Sequence, residues 1–232
     1  MSQIRNILMD VDGTMTDYLD PDNPAMMSLS PLAHLENLVM KKHSVSREEA
    51  RRRIYSCGDT AIQCLSEFLP ALEVDPGDYF KVMAEDLRHF IFIPEDTVRF
   101  FHYLREKEIK LYTASTNSPF MTLVKLSVGG IADEHSCSFL TGFYPGCMFK
   151  DPQGKYSPSY YPDILKHSRF DPDAVMMVGD EPIRDMLPAL KAGIRYGVTI
   201  QRRQKEKWFR KDGGIYVNSF DVLTELMEEN VL

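Results

Sequence analysis

The sequence contains no CxxC pair, and none of its four cysteines, Cys57, Cys64, Cys137 and Cys147, stands at zinc-like spacing from a histidine. The pattern excludes a zinc motif and reads the thiols as ordinary buried side chains in a reducing compartment. His34, His43, His89, His102, His135 and His167 form no HxxxH or other metal spacing and read as structural or surface residues. Internal repeats and low-complexity tracts are missing, as is any apolar run approaching the roughly 18 residues of a membrane span. The chain enters strand-like sequence almost at once, leaving no room for the charged, apolar and cleavage regions of a signal peptide. A soluble cytoplasmic protein is expected. An excess of basic residues is lacking too: 27 Lys and Arg against 34 Asp and Glu give a formal net charge of -7. That balance opposes a general affinity for nucleic acid or an anionic membrane, but not for a small anion, which feels its local site.

At 232 residues, 44% hydrophobic and 26% charged, the chain can bury a sizeable core. "IRNILMD" and "AVMMVGD" are almost continuously apolar and stop at Asp10 and Asp180, while "IKLYTAST" ends in hydroxyls. Continuous apolar character, without alternation, suits strands covered on both faces of a parallel sheet. Between them "PEDTVRFFHYLREKE" (94–108) opens with proline and acids and carries Val98, Phe101 and Leu104 at helical spacing. "SPSYYPDILKHS" and "PIRDMLPALKAG" predict further helices, provided Pro162 and Pro188 fall in first turns or cause kinks, with Gly193 as a stop. The alternation predicts a doubly wound, Rossmann-like α/β domain.

Residues 17–93 break this rhythm and offer no convincing strand. "SREEARRRIYSC" opens with a capping box, Ser46 with Glu49, and "DTAIQCLSEFL" and "PGDYFKVMAEDLRHF" also read as helices. The expectation is a helical cap over 17–93 inserted into a core made of 1–16 and 94–232.

Ligands of an open parallel sheet bind at the carboxyl ends of its strands. If the three apolar strands are neighbours, those ends gather Asp10, Asp12, Thr113, Asp180, Glu181 and Asp185. So many carboxylates repel one another unless a cation sits among them, and an oxygen-only set fits Mg2+ better than zinc. A metal would also let an anionic phosphate approach an anionic nucleophile. Taken singly, an aspartate after a strand is often only a helix N-cap, so the argument rests on the combination.

These residues resemble the haloacid dehalogenase-like hydrolases in four motifs, in the family's order: "DVDGT" (10–14) for DxDGT, Thr113 in "KLYTAST", a lysine in "GKYSPSYYPDIL" (154–165), and "VGDEPIRDM" (178–186) for GDxxxxD. The resemblance implies that Asp10 is a nucleophile forming an aspartyl-phosphate and that Asp12 is an acid and base facing the substrate, able to keep its proton. It also implies phosphoryl binding by Thr113, Ala114, Lys155 and the backbone at Gly13, with Mg2+ held by Asp10, the Asp12 carbonyl and Asp180. Glu181 or Asp185 would stand behind or act through water. Lys150 in "FKDP" rivals Lys155 but lacks the following helix start. The aspartate at 12 argues against dehalogenation, and DVDGT against ion-pumping ATPases.

The resemblance thus implies a Mg2+-dependent phosphatase acting on a small phosphorylated metabolite. "YSCGDTAIQCL" (55–65) and the length of the insertion resemble the pyrimidine 5'-nucleotidase-like branch, which often carries asparagine where Gly13 stands. A nucleotide monophosphate leads phosphoglycolate and sugar phosphates as substrate. A phosphomutase or a non-catalytic phosphometabolite-binding protein would use the same core. The basic run "QRRQKEKWFRK" (201–211) reads as a solvated loop or helix face near the sheet edge, and "RRR" at 51–53 as mostly solvent-facing, with one arginine able to reach a substrate anion. Tyr55, Tyr79, Phe80 and Phe90 of the insertion read as its core, and as the place where substrate choice is written.

Overall fold

The computed structural model describes residues 4–22, 24–60 and 62–232. The elements are β1 (Asn6–Met9), β2 (Asp17–Tyr18), α1 (Pro31–His43), α2 (Arg47–Cys57), α3 (Pro76–Leu87), β3 (Ile91–Phe92), α4 (Glu95–Glu106), β4 (Lys110–Ser115) and α5 (Pro119–Ser127). They continue with β5 (Gly142–Pro145), α6 (Tyr160–Ser168), β6 (Val175–Gly179), α7 (Met186–Lys191), β7 (Tyr196–Ile200), β8 (Trp208–Lys211), β9 (Gly214–Val217) and α8 (Phe220–Glu228).

Seven strands form one sheet in the order β5-β4-β1-β6-β7-β9-β8, parallel except for the edge pair of β8 with β9. The apolar runs read from the sequence become β1, β4 and β6, with β1 in the middle. Ile7, Leu8, Met9, Val175, Met176, Met177 and Val178 are wholly buried because helices cover both faces. On one face Ile7, Met9, Met176 and Val178 pack with Phe100, Phe101 and Phe220. On the other, Leu8, Val175 and Met177 pack with Tyr160, Tyr161 and Ile164. Each such side chain contributes about 2 kcal/mol of apolar burial.

The chain runs from β1 to β4 and β5 on one side, then returns to β6 on the other. That reversal opens a crevice at the carboxyl end of β1. Pro162 and Pro188 both occupy first turns, where no intrahelical N–H is lost. Gly193 follows α7 with φ 97°, a left-handed stop.

Residues 17–93 differ from expectation in two ways. The segment does contain strands: β2 and β3 pair antiparallel where the chain leaves and re-enters the sheet domain, each too short to show a periodicity. And the described residues of "DTAIQCLSEFL", Ala61 lying outside them, form no α-helix. Ile62 and Gln63 N–H both bond Asp59 O in a turn, Cys64 is extended at φ -82° and ψ 133°, and only a 3-10 turn over Leu65–Phe68 follows.

Helices α1 to α3 pack about Leu35, Val39, Ile54, Tyr79, Met83 and Leu87, and this cluster also takes in Val124 of α5. The expected capping box is half made. Ser46 Oγ accepts from Glu49 N–H at 3.3 Å, but the Glu49 carboxylate turns to Arg52 and Arg53. Arg51 pairs with the buried Glu36 at 2.7 Å, so all three arginines of the run are tied within the helical segment. No helix among the described residues is long and apolar enough to cross a membrane.

Candidate active site

The crevice is built from the ends of β1, β4 and β6. Asp10 follows β1 directly, and a tight turn over 11–15 carries the chain on, with Gly13 at φ 69°. Only glycine fits there: a Cβ at 13 would stand 2.3 Å from Asp180 Oδ2. Asp180 follows β6, and Asp185 precedes α7. Gly179 has the same role against Asp185, whose Cγ would lie 2.2 Å from an added Cβ.

Asp10, Asp180 and Asp185 each offer an oxygen within 4.8 Å of the others. Lys155, in a 3-10 turn ahead of α6, stands between two of them, with Nζ 2.8 Å from Asp10 Oδ1 and 2.6 Å from Asp185 Oδ1. Burial works against the Lys155 ammonium, yet Asp10 and Asp185 hold its pKa above the usual lysine value. Three carboxylates around one ammonium leave the group negative. Burial, with Asp10 and Asp185 nearby, pushes Asp180 up to about 7. This all-oxygen, under-neutralised cluster fits a hard divalent cation such as Mg2+.

Other predicted site residues fall differently. Glu181 lines the same cavity but stands outside the three-carboxylate cluster: its carboxylate pairs with Arg184 at 2.9 Å, and its N–H donates to Asp185 Oδ2 at 3.0 Å. Of the two fourth-motif candidates, Asp185 is therefore the one in the cluster. Lys150 is exposed in a left-handed turn, while Lys155 is buried against Asp10.

Thr113 and Ala114 lie inside β4, 1% and 0% exposed, with Thr113 in register with Met9. They do not border the cavity of about 170 Å3 at the carboxylates, which Thr116 lines instead. The strand runs to Ser115, two residues beyond Thr113, so the exposed hydroxyl at its end is the third in "TAST". Three hydroxyls in four residues were legible; which one cleared the strand was not.

Asp12 departs furthest from expectation. It does not stand free toward a substrate: Lys125 Nζ lies 2.6 Å from its Oδ1 and 2.8 Å from its Oδ2. Asn117 Nδ2 donates to Oδ2 at 2.8 Å, and Lys125 also donates to Asn117 Oδ1 at 2.8 Å. Lys125 is 3% exposed, on the buried face of α5. A single lysine inside the apolar helix "PFMTLVKLS" was the signal, since a buried ammonium needs a carboxylate.

Tyr18 of β2 also lines the cavity, its hydroxyl pushed up to about 12 by burial and by Asp12, Asp180 and Asp10. The basic run is divided in the same way. Arg202 is not solvated but binds Asp96 at 2.7 Å and the Thr14 carbonyl at 3.1 Å, bracing the turn after Asp10, whereas residues 208–211 form the edge strand β8.

A crossover crevice whose first and sixth strands both end in aspartate, with a buried lysine between them, defines an α/β hydrolase of the kind its motifs resemble. Residues 4–193 match the family model of the haloacid dehalogenase-like hydrolases, and the chain belongs to that family. In structure it is similar to a HAD phosphatase from Thermococcus onnurineus, at 18% identity over 97% of this chain and 98% of that one, with a TM-score of 0.56. It is similar also to a 2-haloacid dehalogenase from Pseudomonas syringae pv. Tomato DC3000, at 17% identity over 98% and 99% of the two chains and a TM-score of 0.55. The magnesium-bound HAD-hydrolase YfnB from Bacillus subtilis matches at 13% identity over 97% and 99%, with a TM-score of 0.53. At such identities the likeness is one of fold, and it spans phosphatases and dehalogenases alike. A search of curated proteins finds no match.

Proposed function

We propose that this chain is a Mg2+-dependent phosphatase of small phosphomonoesters, with a nucleoside monophosphate as the leading substrate. The observation that carries the reading is the pair Asp10 and Asp12 on one turn, the first facing the Asp180 and Asp185 carboxylates and the second a separate lysine. A halide leaves as an anion and needs no proton, whereas an alkoxide leaving from phosphorus does, and a second carboxyl beside the nucleophile supplies it.

Asp10 attacks phosphorus and carries the phosphoryl group as an aspartyl-phosphate, splitting one displacement into two. Lys155, already 2.8 Å from Asp10, holds the nucleophile in place and faces the charge on the phosphoryl oxygens. Thr116 borders the same cavity and offers its hydroxyl to those oxygens. Mg2+ held by Asp10, Asp180 and Asp185 would offset the carboxylate charge as the phosphate enters. Both Asp12 oxygens accept from Lys125 and Asn117, so acting on the leaving oxygen takes a proton gained by Asp12 and a side-chain rotation that exchanges one of those hydrogen bonds for the substrate. The helical segment 17–93 serves as a cap that restricts access and excludes bulk water.

The test is phosphate release from nucleoside monophosphates, sugar phosphates and phosphoglycolate, with Mg2+ and with EDTA. Mg2+-dependent release, greatest with a nucleoside monophosphate, is the expected result. Isomerised sugar phosphate without free phosphate, or binding without turnover, would overturn it.

A further inference from the structure

Two cysteines that the reaction does not use lie side by side across the molecule. Cys64 caps the 3-10 turn in the helical segment, and Cys147 sits in the 3-10 turn Gly146–Phe149 that follows β5. They are 83 positions apart in sequence, yet their Sγ atoms are 2.8 Å apart, and both are free thiols with partial exposure. Both line a cavity of about 400 Å3 that also reaches Thr116, Asn117 and Lys155. The other two cysteines stand apart from this arrangement: Cys57 donates to Arg53 O within its own helix, and Cys137 is buried in the sheet domain's apolar core.

We propose that Cys64 and Cys147 are a disulfide-forming modification site, oxidised by a low-molecular-weight disulfide such as oxidised glutathione, and that the bond ties the helical segment down over the carboxylate crevice. The sulfurs need approach by less than 1 Å to reach the roughly 2.05 Å of a disulfide. Burial, with Cys147 beside it, pushes the Cys64 thiol up, which makes Cys64 the poorer first nucleophile.

The Cys147 thiolate attacks one sulfur of the glutathione disulfide and expels a glutathione thiolate, leaving Cys147 in a mixed disulfide. Cys64 then gives up its proton and attacks the Cys147 sulfur, expelling the second glutathione thiolate. Two protein thiols lose two electrons, oxidised glutathione gains them, and the two thiol protons end on two reduced glutathione molecules.

The bond closes a long loop and fixes the turn at Cys64 to the turn that follows β5. That restricts the unfolded chain and holds the cavity shut against substrate exchange.

The full chain is incubated with oxidised glutathione and mapped by peptide mass without reductant. The expected product is a Cys64–Cys147 linked peptide lacking two hydrogens, reversed by dithiothreitol. The melting temperature should rise by about 5 °C or more. Hydrolysis of p-nitrophenyl phosphate, an arm that rests on the phosphatase reading, should fall about tenfold and return on reduction, as expected where opening limits turnover. Cys64→Ser and Cys147→Ser should show no bridge, no rise in melting temperature and no response of turnover to the oxidant.

Glutathione retained on single thiols without the linked peptide, or a linked peptide with unchanged melting temperature and turnover, overturns the proposal. If the reduced protein releases no phosphate, the functional reading fails by itself, and the bridge stands or falls on its mass and melting temperature.

Discussion

Asp10 and Asp12 are two residues apart, and each meets a buried lysine, but the two corners are built differently. Lys155 reaches Asp10 from the connection after β5 and shares itself with Asp185, in a cluster where carboxylates outnumber it. Lys125 reaches Asp12 from α5 and, with Asn117, satisfies both oxygens of a single carboxylate. One corner is left short of positive charge and fits a cation. The other is balanced by the protein itself. The turn after β1 sends the two carboxylates to these separate environments, and different environments let neighbouring acids hold different jobs.

The comparison breaks most completely at Asp10. Asp10→Asn keeps the shape of the side chain but removes the nucleophile of the proposed mechanism, and turnover should fall on the order of 10^4-fold while the circular dichroism spectrum and melting curve stay near wild type. Retention of near-normal turnover would sink the covalent mechanism.

The two lysines should separate next. Lys155→Met removes charge where the proposed mechanism places the phosphoryl oxygens and should lower turnover by about 10^3-fold. Lys125→Met leaves Asp12 without its partner. Its main expected effect is on folding, about 3 kcal/mol by urea denaturation, with a smaller loss of turnover. Equal kinetic losses in the two variants would mean that the corners are not distinct.

The hydroxyls of β4 sharpen the same map. Thr116→Ala should reduce turnover about tenfold and leave stability unchanged, whereas Thr113→Val should alter stability by about 1 kcal/mol and leave turnover alone. Steady-state kinetics beside thermal melts would decide it. The opposite pattern would return the phosphoryl contact to Thr113.

The smallest effect lies in the helical segment. Burial acts to raise the Asp86 carboxyl, but hydrogen bonds from Ser28, Leu29 and His34 hold its pKa below the usual value. A depressed carboxyl stabilises the fold above its unfolded pKa of about 4, and that stabilisation is lost as pH falls through the lower folded value. Urea melts from pH 6 down to about pH 2.5 should therefore show wild type ahead of Asp86→Asn by about 1 kcal/mol near neutrality, with the gap closing below about pH 4. A gap independent of pH would remove Asp86 as its source.

β1, β4 and β6 were legible because strands covered on both faces have no solvent side to interrupt their apolar runs, and two of the three runs, β1 and β6, end where an aspartate enters the crevice. The same clarity did not extend to Cys64–Phe68, where a helical pattern gives way to an extended cysteine, or to β2 and β3, whose two residues each are too few for any period. Thr113 was misplaced for a related reason: sequence sees a hydroxyl at the end of an apolar run, while strand length decides which hydroxyl emerges.

The sequence by itself determined the family, the parallel sheet, and Asp10, Lys155, Asp180 and Asp185 as a charged set, because chemistry carried on short motifs is local. Only the tertiary structure decided that Asp185 and not Glu181 joins the cluster with Asp10 and Asp180, that Thr116 lines the cavity, and that Lys125, 113 positions from Asp12, neutralises it. Such pairings depend on which helix face and which strand end meet in space, and a buried charge fixes its partner only once packing has brought the two together.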